Sequence, residues 1–353
     1  NLGVPIYSGG GVKNQIKAAK LRVEAGQADL RAAESTIFSQ VVGAYMDVIQ
    51  NQAIVGLNLS NVSALSTNLQ ATADRFEIGD LTRTDVAQSQ SRLALAKGDL
   101  RAAEANLANA RERYIQLVGK APVDLQPPPP LPPLPADAHE AVSTALDSNP
   151  DLIGAKERVR AAEKDIDVAG AGRLPSVRLF GTGSYTNYLN TLGGPVANTF
   201  PQTDRAAQVG AQVSIPLFQG GLPAAQRRQA QANASASLET QIATERSVIA
   251  QVRSAFQSYL AANELIALNQ TAVDAAALSL EGVQAENSVG NRTILDILDA
   301  EQERLRAQVQ LVVARRNAYV AGFSLLAAMG RAEARDLNLE GGTLYDPNVN
   351  YKR

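Results

Sequence analysis

An internal repeat is the feature that most restricts what this chain can fold into. Residues 5–10, PIYSGG, resemble residues 216–221, PLFQGG, which sets an offset of 211 residues between two copies (216 − 5 = 211). Two unrelated alanine-rich helices would not keep glycine, threonine and aspartate in register. The sequence therefore predicts two tandem copies of one structural unit. Later matches keep the offset without a gap and pair Gly79, Thr82, Asp85 and Gly119 with Gly290, Thr293, Asp296 and Gly330.

Long helices make up most of each copy. Apolar residues recur every seven positions, which is typical of supercoiled helices packed side by side. No proline interrupts residues 12–77, so the first helix would be about 100 Å long. Glycine then ends each helix. We expect one antiparallel hairpin over 12–118 with its turn near 79–80, and a second over 222–329 with its turn near 290–291. The apolar series are Val41, Val48, Val55, Val62 and Leu69, and Leu238, Val252, Tyr259, Ile266, Val273 and Leu280.

The residues before each Gly-Gly pair alternate with a period of two instead. Apolar and polar side chains alternate through 206–218, which predicts a strand with one apolar face. A further strand is predicted over about 176–188, and the Gly/Asn/Pro-rich residues 190–203 indicate an exposed loop. Such alternation suits a membrane-spanning barrel strand, and it equally suits a half-buried strand of a soluble sheet. Residues 1–8 hold the matching strand remnant of the first copy, with Leu2, Val4 and Ile6 on its apolar face.

The repeat and the composition divide the chain into segments. The first repeat occupies residues 1–119, and a proline-rich linker follows over 120–137. The second repeat occupies 138–330 and begins with a helix over 138–170, and residues 331–353 form a C-terminal tail. The prolines favour polyproline II, which would make the linker a stiff spacer; a peptide-docking role is the alternative.

The second copy begins with a helix and a strand that the first copy lacks. The offset places their counterparts before Asn1. We therefore expect the full-length precursor to carry a signal peptide, a helix and a strand ahead of this residue.

Composition excludes several classes of function. There is no cysteine, so thiolate metal sites and disulfides are excluded. His139 is the single histidine, which argues against a histidine-based metal site and against a serine–histidine–aspartate triad. The net charge of −2 argues against a surface for nucleic acid. The glycines at 9–11 lack the Lys-Ser/Thr that follows in a phosphate-binding loop. We expect no enzyme activity, no cofactor, no metal site and no nucleic-acid partner.

Two local motifs support a family resemblance. Residues 289–300, VGNRTILDILDA, cover the second helix turn, and residues 214–221, SIPLFQGG, form a strand-to-helix junction. Together with the tandem heptad hairpins, they resemble the TolC family of outer-membrane channel proteins. The similarity covers essentially the whole chain in the family's order.

The resemblance implies a mainly α fold with a transmembrane β portion. Long antiparallel coiled-coil hairpins would form an α-barrel and the strands a β-barrel, both closed by trimerisation. An open sheet edge is not tolerated in lipid, and three chains together would remove the edges. The family has four strands per chain, whereas this sequence shows about three.

The resemblance also implies a function. The chain would be the outer-membrane exit duct of a tripartite export system, for type I protein secretion, multidrug efflux or both, gated at its periplasmic end. Its implied partners are two further copies in a homotrimer, an ABC- or RND-type inner-membrane transporter, a periplasmic adaptor protein and outer-membrane lipid, in a Gram-negative bacterium. The helical pattern alone leaves a soluble periplasmic coiled-coil adaptor or scaffold as the alternative.

Asp296 and Asp299 are the candidate pore residues. Their spacing places them on one side of a helix, one turn apart. In the family the matching aspartates line the periplasmic entrance, which implies two acidic rings that favour cations. Replacing both by alanine is expected to reduce cation selectivity with little effect on folding. The alternative is a pair of solvated surface acids.

Further residues match the family's gate. The helix-turn tips, at Gly79 and Gly290, are where partner proteins are expected to dock. Asparagine stands at position 287 where a tyrosine is expected, which would weaken or rewire the closed state. The residues that match closed-state links between helices are Arg292, Asp85, Thr84 and Asn287.

Overall fold

The chain is mainly helical. The computed structural model describes residues 1–189, 191–192, 195, 201–334 and 336–337. Two long helical hairpins follow one another in these residues, so the predicted mainly α fold with a tandem repeat is confirmed. In chain order the elements are β1 (Leu2–Ser8), α1 (Gly11–Glu77), α2 (Arg83–Val118), α3 (Ala138–Ser148), α4 (Pro150–Ala171), β2 (Ser176–Asn187), β3 (Thr203–Ser214), α5 (Leu222–Ser288) and α6 (Ile294–Ala328).

The chain divides into two compact units. The sheet unit comprises Asn1–Asp29 and Asp151–Glu245, and the hairpin unit comprises Leu30–Pro150 and Arg246–Arg353. The three strands belong to the sheet unit, whereas α2, α3 and α6 belong to the hairpin unit. Each unit therefore takes residues from both copies of the sequence repeat.

The sheet unit contains one antiparallel sheet with β2 in its centre, paired to β1 and β3. Pairing between β2 and β3 runs from Ser176 opposite Ser214 to Asn187 opposite Thr203. Because side chains alternate between the two faces of a sheet, nearly all of the apolar ones share a single face. We call it the apolar face, and its side chains are exposed: Leu2 80%, Val4 57%, Leu179 47%, Val209 88% and Val213 60%.

Strand β3 spans Thr203–Ser214, whereas the alternation predicted 206–218. The strand ends before Pro216 because proline has no N–H to donate to a ladder. At its other end it continues the pairing as far as the last residue of β2. The loop predicted for 190–203 lies partly outside the described residues.

Strand β1 contains an irregularity that the alternation did not predict. Its register against β2 shifts between Pro5 and Tyr7, so Ile6 has no partner and Tyr7 lies opposite Val177. Such a bulge inserts one residue and restores the alternation beyond it. The register therefore places Leu2, Val4 and Tyr7 on the apolar face of β1, and Ile6, which the alternation predicted as the third apolar residue, lies unpaired in the bulge.

The helix predicted for 138–170 is two helices. Helix α3 ends at Ser148 and α4 begins at Pro150, with Asn149 between them in an extended conformation (ψ 122°). The residue before a proline is disfavoured in the helical region, and this breaks the helix. The side chain of Asn149 donates to the carbonyl oxygen of Ala328 at 2.9 Å, which fixes the corner against the end of α6.

Helices α1 and α4 pack together inside the sheet unit. Arg158 pairs with Asp29, and Arg22 pairs with Asp165, each at 2.5 Å. Gly154 lies close to this contact, since a β-carbon there would be 3.3 Å from Oδ1 of Asp29. Two ion pairs, seven residues apart along each helix, thus join α1 to the helix before the sheet.

Heptad residues of α1 pack against α2 inside the hairpin unit. Val48 is 2% exposed and packs with Leu107 and Ala110 of α2, beside Val55. Leu65 forms a second cluster nearer the turn, described below. The predicted side-by-side packing of heptad helices therefore accounts for the buried apolar surface of the first hairpin.

The proline-rich segment lies against the hairpin unit. The hydroxyl of Tyr319 donates to the carbonyl oxygen of Pro129 at 3.1 Å, and that of Tyr45 donates to Gln126 at 2.5 Å. Leu131 packs so closely on α6 that a β-carbon on Gly322 would be 2.5 Å from its Cδ1. The segment is thus a packed strap as well as a connection between the copies.

Most of the tail predicted for 331–353 lies outside the described residues. Among the helices that are described, none combines the length and the apolar character needed to cross a membrane.

Candidate functional site

The two hairpin turns share one backbone motif. After α1, Gly79 and Asp80 donate hydrogen bonds of 3.0 and 2.9 Å to carbonyls three and five residues earlier. After α5, Gly290 and Asn291 make the same two bonds at the same distances. Both glycines have positive φ, +83° and +85°, which a residue without a β-carbon adopts at low cost. The sequence offset of 211 residues therefore extends to the backbone hydrogen bonds.

A capping box begins each return helix. The N–H of Asp85 donates to Oγ1 of Thr82 at 3.3 Å, and the N–H of Thr82 donates to the carboxylate of Asp85 at 2.8 Å. Thr293 and Asp296 make the same pair of bonds at the same distances. These two aspartates therefore hold the first turns of α2 and α6 in place.

Hydrogen bonds from threonine lower the pKa of both capping aspartates. The hydroxyl of Thr82 donates to Asp85 at 2.7 Å and, with the backbone N–H, holds the pKa of that carboxyl below its ordinary value of 3.8. Thr293 lowers the pKa of Asp296 in the same way, with a smaller contribution from the charge of Arg292. Both groups are therefore ionised at neutral pH.

An ion pair spans each turn, with the charges reversed between the copies. In the first turn Arg75 donates to Asp80 at 2.7 Å. In the second turn Arg292 donates to Glu286 at 2.7 Å, and this hydrogen bond is the main cause that raises the pKa of Arg292. Arg75 and Glu286 hold the same position in the repeat (286 − 75 = 211). The two turns thus have the same backbone conformation and carry opposite charges at this position.

The other predicted gate residues lie at the same two turns. Asn287 donates through Nδ2 to the backbone oxygen of Arg292 at 2.7 Å, which ties the second turn together. Thr84 is exposed on the first turn of α2. Within the described part of one chain, Arg292 pairs with residues of its own turn and makes no ion pair with Asp85.

Asp299 joins the two hairpins. Its carboxylate accepts a hydrogen bond from Nη2 of Arg92, on α2, at 2.5 Å. The two side chains are 58% and 33% exposed. Asp296 and Asp299, which the spacing places on one side of the helix, therefore have different contacts: Asp296 caps its own helix and Asp299 pairs with another helix.

Apolar side chains pack beside this pair. Leu298, next to Asp299, is 2% exposed and lies in a cluster with Leu65 and Leu93. The return helices α2 and α6 thus meet through a buried leucine contact with an ion pair at its edge. The remaining members of this cluster are Ala96, Val62, Leu69 and Ile294.

Arg92 and Glu286 were not among the predicted site residues. Arg92 lies seven residues after Asp85, so a heptad places both on the same face of α2. That spacing was the available signal. The contact of Glu286 with Arg292 depends on the turn bringing residues six apart together, which charge pattern alone does not give. Among the described residues, no group of three or more histidine, aspartate and glutamate side chains is placed to hold a metal ion.

Comparison with known proteins agrees with this architecture. A curated relative, outer membrane efflux protein BepC of Brucella suis biovar 1 (strain 1330), is 33% identical over 348 residues, which is 98% of this chain and 74% of that protein. Outer membrane protein TolC of Escherichia coli (strain K12) is 29% identical over 342 residues, 94% of this chain and 68% of TolC.

Solved structures show the same fold. The outer-membrane channel OprN superposes with a TM-score of 0.75 at 24% identity, over 91% of this chain and 72% of that one. The family model described as outer membrane efflux protein matches residues 1–120 and 141–331. The match spans both hairpins, all three strands and the two turns, and on it this chain belongs to the outer membrane efflux protein family.

Proposed function

We propose that this chain is the outer-membrane exit duct of a tripartite export system and acts as a passive conduit. Family membership gives the outer-membrane location and the role in efflux or secretion. Family members are channels, and we propose that this chain likewise has no enzyme activity. The finer features below are supported by the structure of the single chain.

The exposed apolar face of the sheet is the observation that most favours this function. Val209, in the middle of β3, is 88% exposed, and Leu2, at the start of β1, is 80% exposed. An apolar face of this size is stable against lipid and unfavourable in water. A soluble adaptor would have no need of such a face, so the observation weighs against the alternative.

Three chains would complete the channel. Strand β2 is paired on both sides, whereas β1 and β3 each have one edge that is unpaired within the described sheet. Unpaired backbone groups are costly in lipid. Association of three copies, with the edges of neighbouring sheets joined, would satisfy those groups and close a barrel.

We propose the two hairpin turns as the periplasmic gate. Asp296 and Asp299 would contribute acidic rings at its entrance, and Arg292, Asn287, Thr84 and Asp85 would link neighbouring helices in the closed state. The support is that all six lie close to the glycine tips along the chain; the most distant, Asp299, is nine residues from Gly290 (299 − 290 = 9). The exposed tips at Gly79 and Gly290 would dock the adaptor and an ABC- or RND-type transporter.

Mass measurement and single-channel recording test this function. The full-length protein, extracted from outer membranes with detergent, should have the mass of a homotrimer and form pores in planar bilayers. A stable monomer that releases from cells without detergent and gives no conductance would contradict the proposal and favour the soluble adaptor.

A further inference from the structure

The sheet has a second face, opposite the apolar one, that no part of the predicted gate uses. The pairing register places three rows of residues on it, counted from the end where the strands join the helices. We call this the polar face, because serine, arginine and glutamine dominate it. The rows are Ser8–Ser176–Ser214, then Pro5–Arg178–Gln212, then Gly3–Phe180–Gly210.

Arg178 lies flat on the polar face. A β-carbon placed on Gly3, in the neighbouring strand, would be 3.2 Å from Nε and 3.4 Å from Cζ of Arg178. The guanidinium therefore extends diagonally across β1 instead of pointing away from the sheet. Glycine at position 3 provides the room that this orientation needs.

Phe180 lies flat in the opposite direction. A β-carbon on Gly210, in β3, would be 2.8 Å from Cζ and 3.0 Å from Cε1 of the ring. By contrast, a β-carbon placed on Gly181 or Gly183, on the apolar face of the same strand as Phe180, would have no neighbour within 4 Å. The two glycines beside Phe180 in the register thus accommodate the two largest side chains of these rows, which keeps the polar face thin.

The charge of Arg178 has no compensating partner on this face. The side chain is exposed, and no described carboxylate lies within ion-pair distance of it. The other charged residue of the face is Asp204, which pairs with Thr186, eight positions further along β2. That separation is roughly 26 Å along the strand. It exceeds the distance over which exposed charges interact at physiological salt, about 8 Å.

We propose that Arg178 forms a cationic ring on the inner wall of the channel that binds oxyanion groups of molecules in transit, and that Gly3 and Gly210 hold Arg178 and Phe180 flat against that wall. The inference rests on the proposed trimeric channel. Since the apolar face must meet lipid, the polar face must line the lumen. Three chains then place three guanidinium groups at one level of the wall.

The chemistry of the guanidinium decides the ligand class. Its planar set of N–H donors matches the two oxygens of a carboxylate, sulfate or phosphate group. The neighbouring side chains of Gln212, in the same row, and Ser176, in the next row, are neutral hydrogen-bonding groups that would neither repel an anion nor compete for it. A flat arginine attracts oxyanions without narrowing the passage, which a side chain directed at the pore axis would do.

Block by inorganic pyrophosphate tests the ring. Current through single channels of the full-length protein would be recorded in planar bilayers, with pyrophosphate added on the extracellular side. We expect Arg178→Gln to weaken the block at least about tenfold, and Arg178→Lys to give an intermediate value because it keeps the charge and loses the two-pronged donor. Equal block in the wild type and Arg178→Gln would overturn the ring.

Glycine variants test the flat arrangement separately. Gly210→Val should force the Phe180 ring away from the wall and lower the single-channel conductance, with the trimer intact by mass. Gly183→Val is the matched control, because its new side chain meets no neighbour on the other face of the same sheet. Equal conductance in the two variants would contradict the role of Gly210. If the wild type forms neither trimers nor pores, the proposed function fails; if it forms pores that Arg178→Gln leaves unchanged, only this inference fails.

Discussion

Arg92 and Asp299 form an ion pair between the return helices of the two hairpins, with 2.5 Å between Nη2 and Oδ1. The pair lies at the edge of the leucine cluster around Leu298, so polar and apolar contacts act at the same level of α2 and α6. Asp299 therefore offers the proposed pore a charge that is already partly balanced by its own chain. Asp296, one turn away, is balanced by the capping bonds of its own helix.

Removing Arg92 is expected to increase cation selectivity. Arg92→Gln leaves the carboxylate of Asp299 without its guanidinium, which makes the proposed entrance more negative. Reversal potentials across a potassium chloride gradient should shift toward the cation value, and Asp299→Asn should shift them the other way. Because the pair is substantially exposed, the melting temperature should change by less than about 2 °C.

The double variant Arg92→Gln/Asp299→Asn tests whether the effect of Arg92 on selectivity depends on Asp299. If Arg92 acts through Asp299, the double variant should behave like Asp299→Asn alone. Additive shifts would show that Arg92 acts on permeating ions directly. Unchanged selectivity in every variant would mean that Asp299 is a solvated surface acid.

Asp296 requires a different substitution to test its charge. The sequence suggested that alanine at 296 and 299 would leave folding nearly unchanged, but the structure shows that Asp296 accepts the N–H of Thr293 in a capping box. Asparagine keeps an acceptor there and removes the charge, whereas alanine removes both. We expect Asp296→Asn to lower cation selectivity with normal amide hydrogen exchange at the start of α6. Asp296→Ala should raise that exchange as well; equal exchange in the two variants would contradict a capping role.

Acid should loosen the first hairpin turn through Asp85. The folded-state pKa of Asp85 is depressed below 3.8 by Thr82, so its contribution to stability is complete above about pH 3.8 and is lost as the pH falls through the lowered pKa. Thr82→Val removes the hydroxyl and raises that pKa toward its ordinary value. Hydrogen exchange over residues 82–93 should therefore be faster in the variant than in the wild type at pH 6, and the ratio of the two rates should fall as the pH drops to 3, because only the wild type has this stabilisation to lose. Identical pH profiles would show that the hydroxyl does not set the pKa.

The repeat made the hairpins and their turns predictable, because glycine, threonine and aspartate at the turns have fixed backbone roles that a sequence offset preserves. Gly79 and Asp85 belong to this class. The ion pairs that distinguish the copies could not be predicted in the same way. The contact of Arg92 with Asp299 joins residues 207 apart, and only the packing of α2 on α6 brings them together.

Two features of the fold that the sequence did not predict have separate physical causes. The break at Asn149 follows from the proline after it, a local signal that the helical pattern on either side obscured. The bulge at Ile6 has no such signal, since a bulge leaves the alternation of the sequence apparently continuous. The flat orientation of Arg178 also depends on a glycine in a neighbouring strand, and the register that aligns them is a tertiary property.

The buried pair of Arg31 with Glu333 should be more important for stability than the exposed pairs. Glu333 is fully buried, and Nε of Arg31 lies 2.5 Å from its carboxylate. Arg31→Met removes this ion pair from a buried carboxylate, which costs about 3 kcal/mol and should lower the melting temperature by roughly 5 °C or more.

Arg22→Met is the matched control for Arg31. It breaks the pair with Asp165, in which the side chains are 54% and 41% exposed, so solvent screens most of the interaction. We expect a loss of less than about 1 kcal/mol. Equal melting temperatures for the two variants, measured by circular dichroism in one detergent, would contradict the importance of burial at Glu333.

Gly330 and Gly119 give the sharpest comparison between the two copies. They hold the same repeat position after α6 and α2, with φ of +74° and +78°. A β-carbon on Gly119 would have no neighbour within 4 Å, whereas one on Gly330 would be 2.5 Å from the carbonyl oxygen of Ser148 and 2.8 Å from Cα of Asn149. Gly119→Ala should therefore lower the free energy of unfolding by only about 1 kcal/mol, the cost of holding alanine in the left-handed conformation. Gly330→Ala must also displace the backbone between α3 and α4, for a total of about 3 kcal/mol. The melting temperature of Gly330→Ala should be several degrees lower than that of Gly119→Ala. Equal values would show that the backbone between α3 and α4 can move without loss of stability.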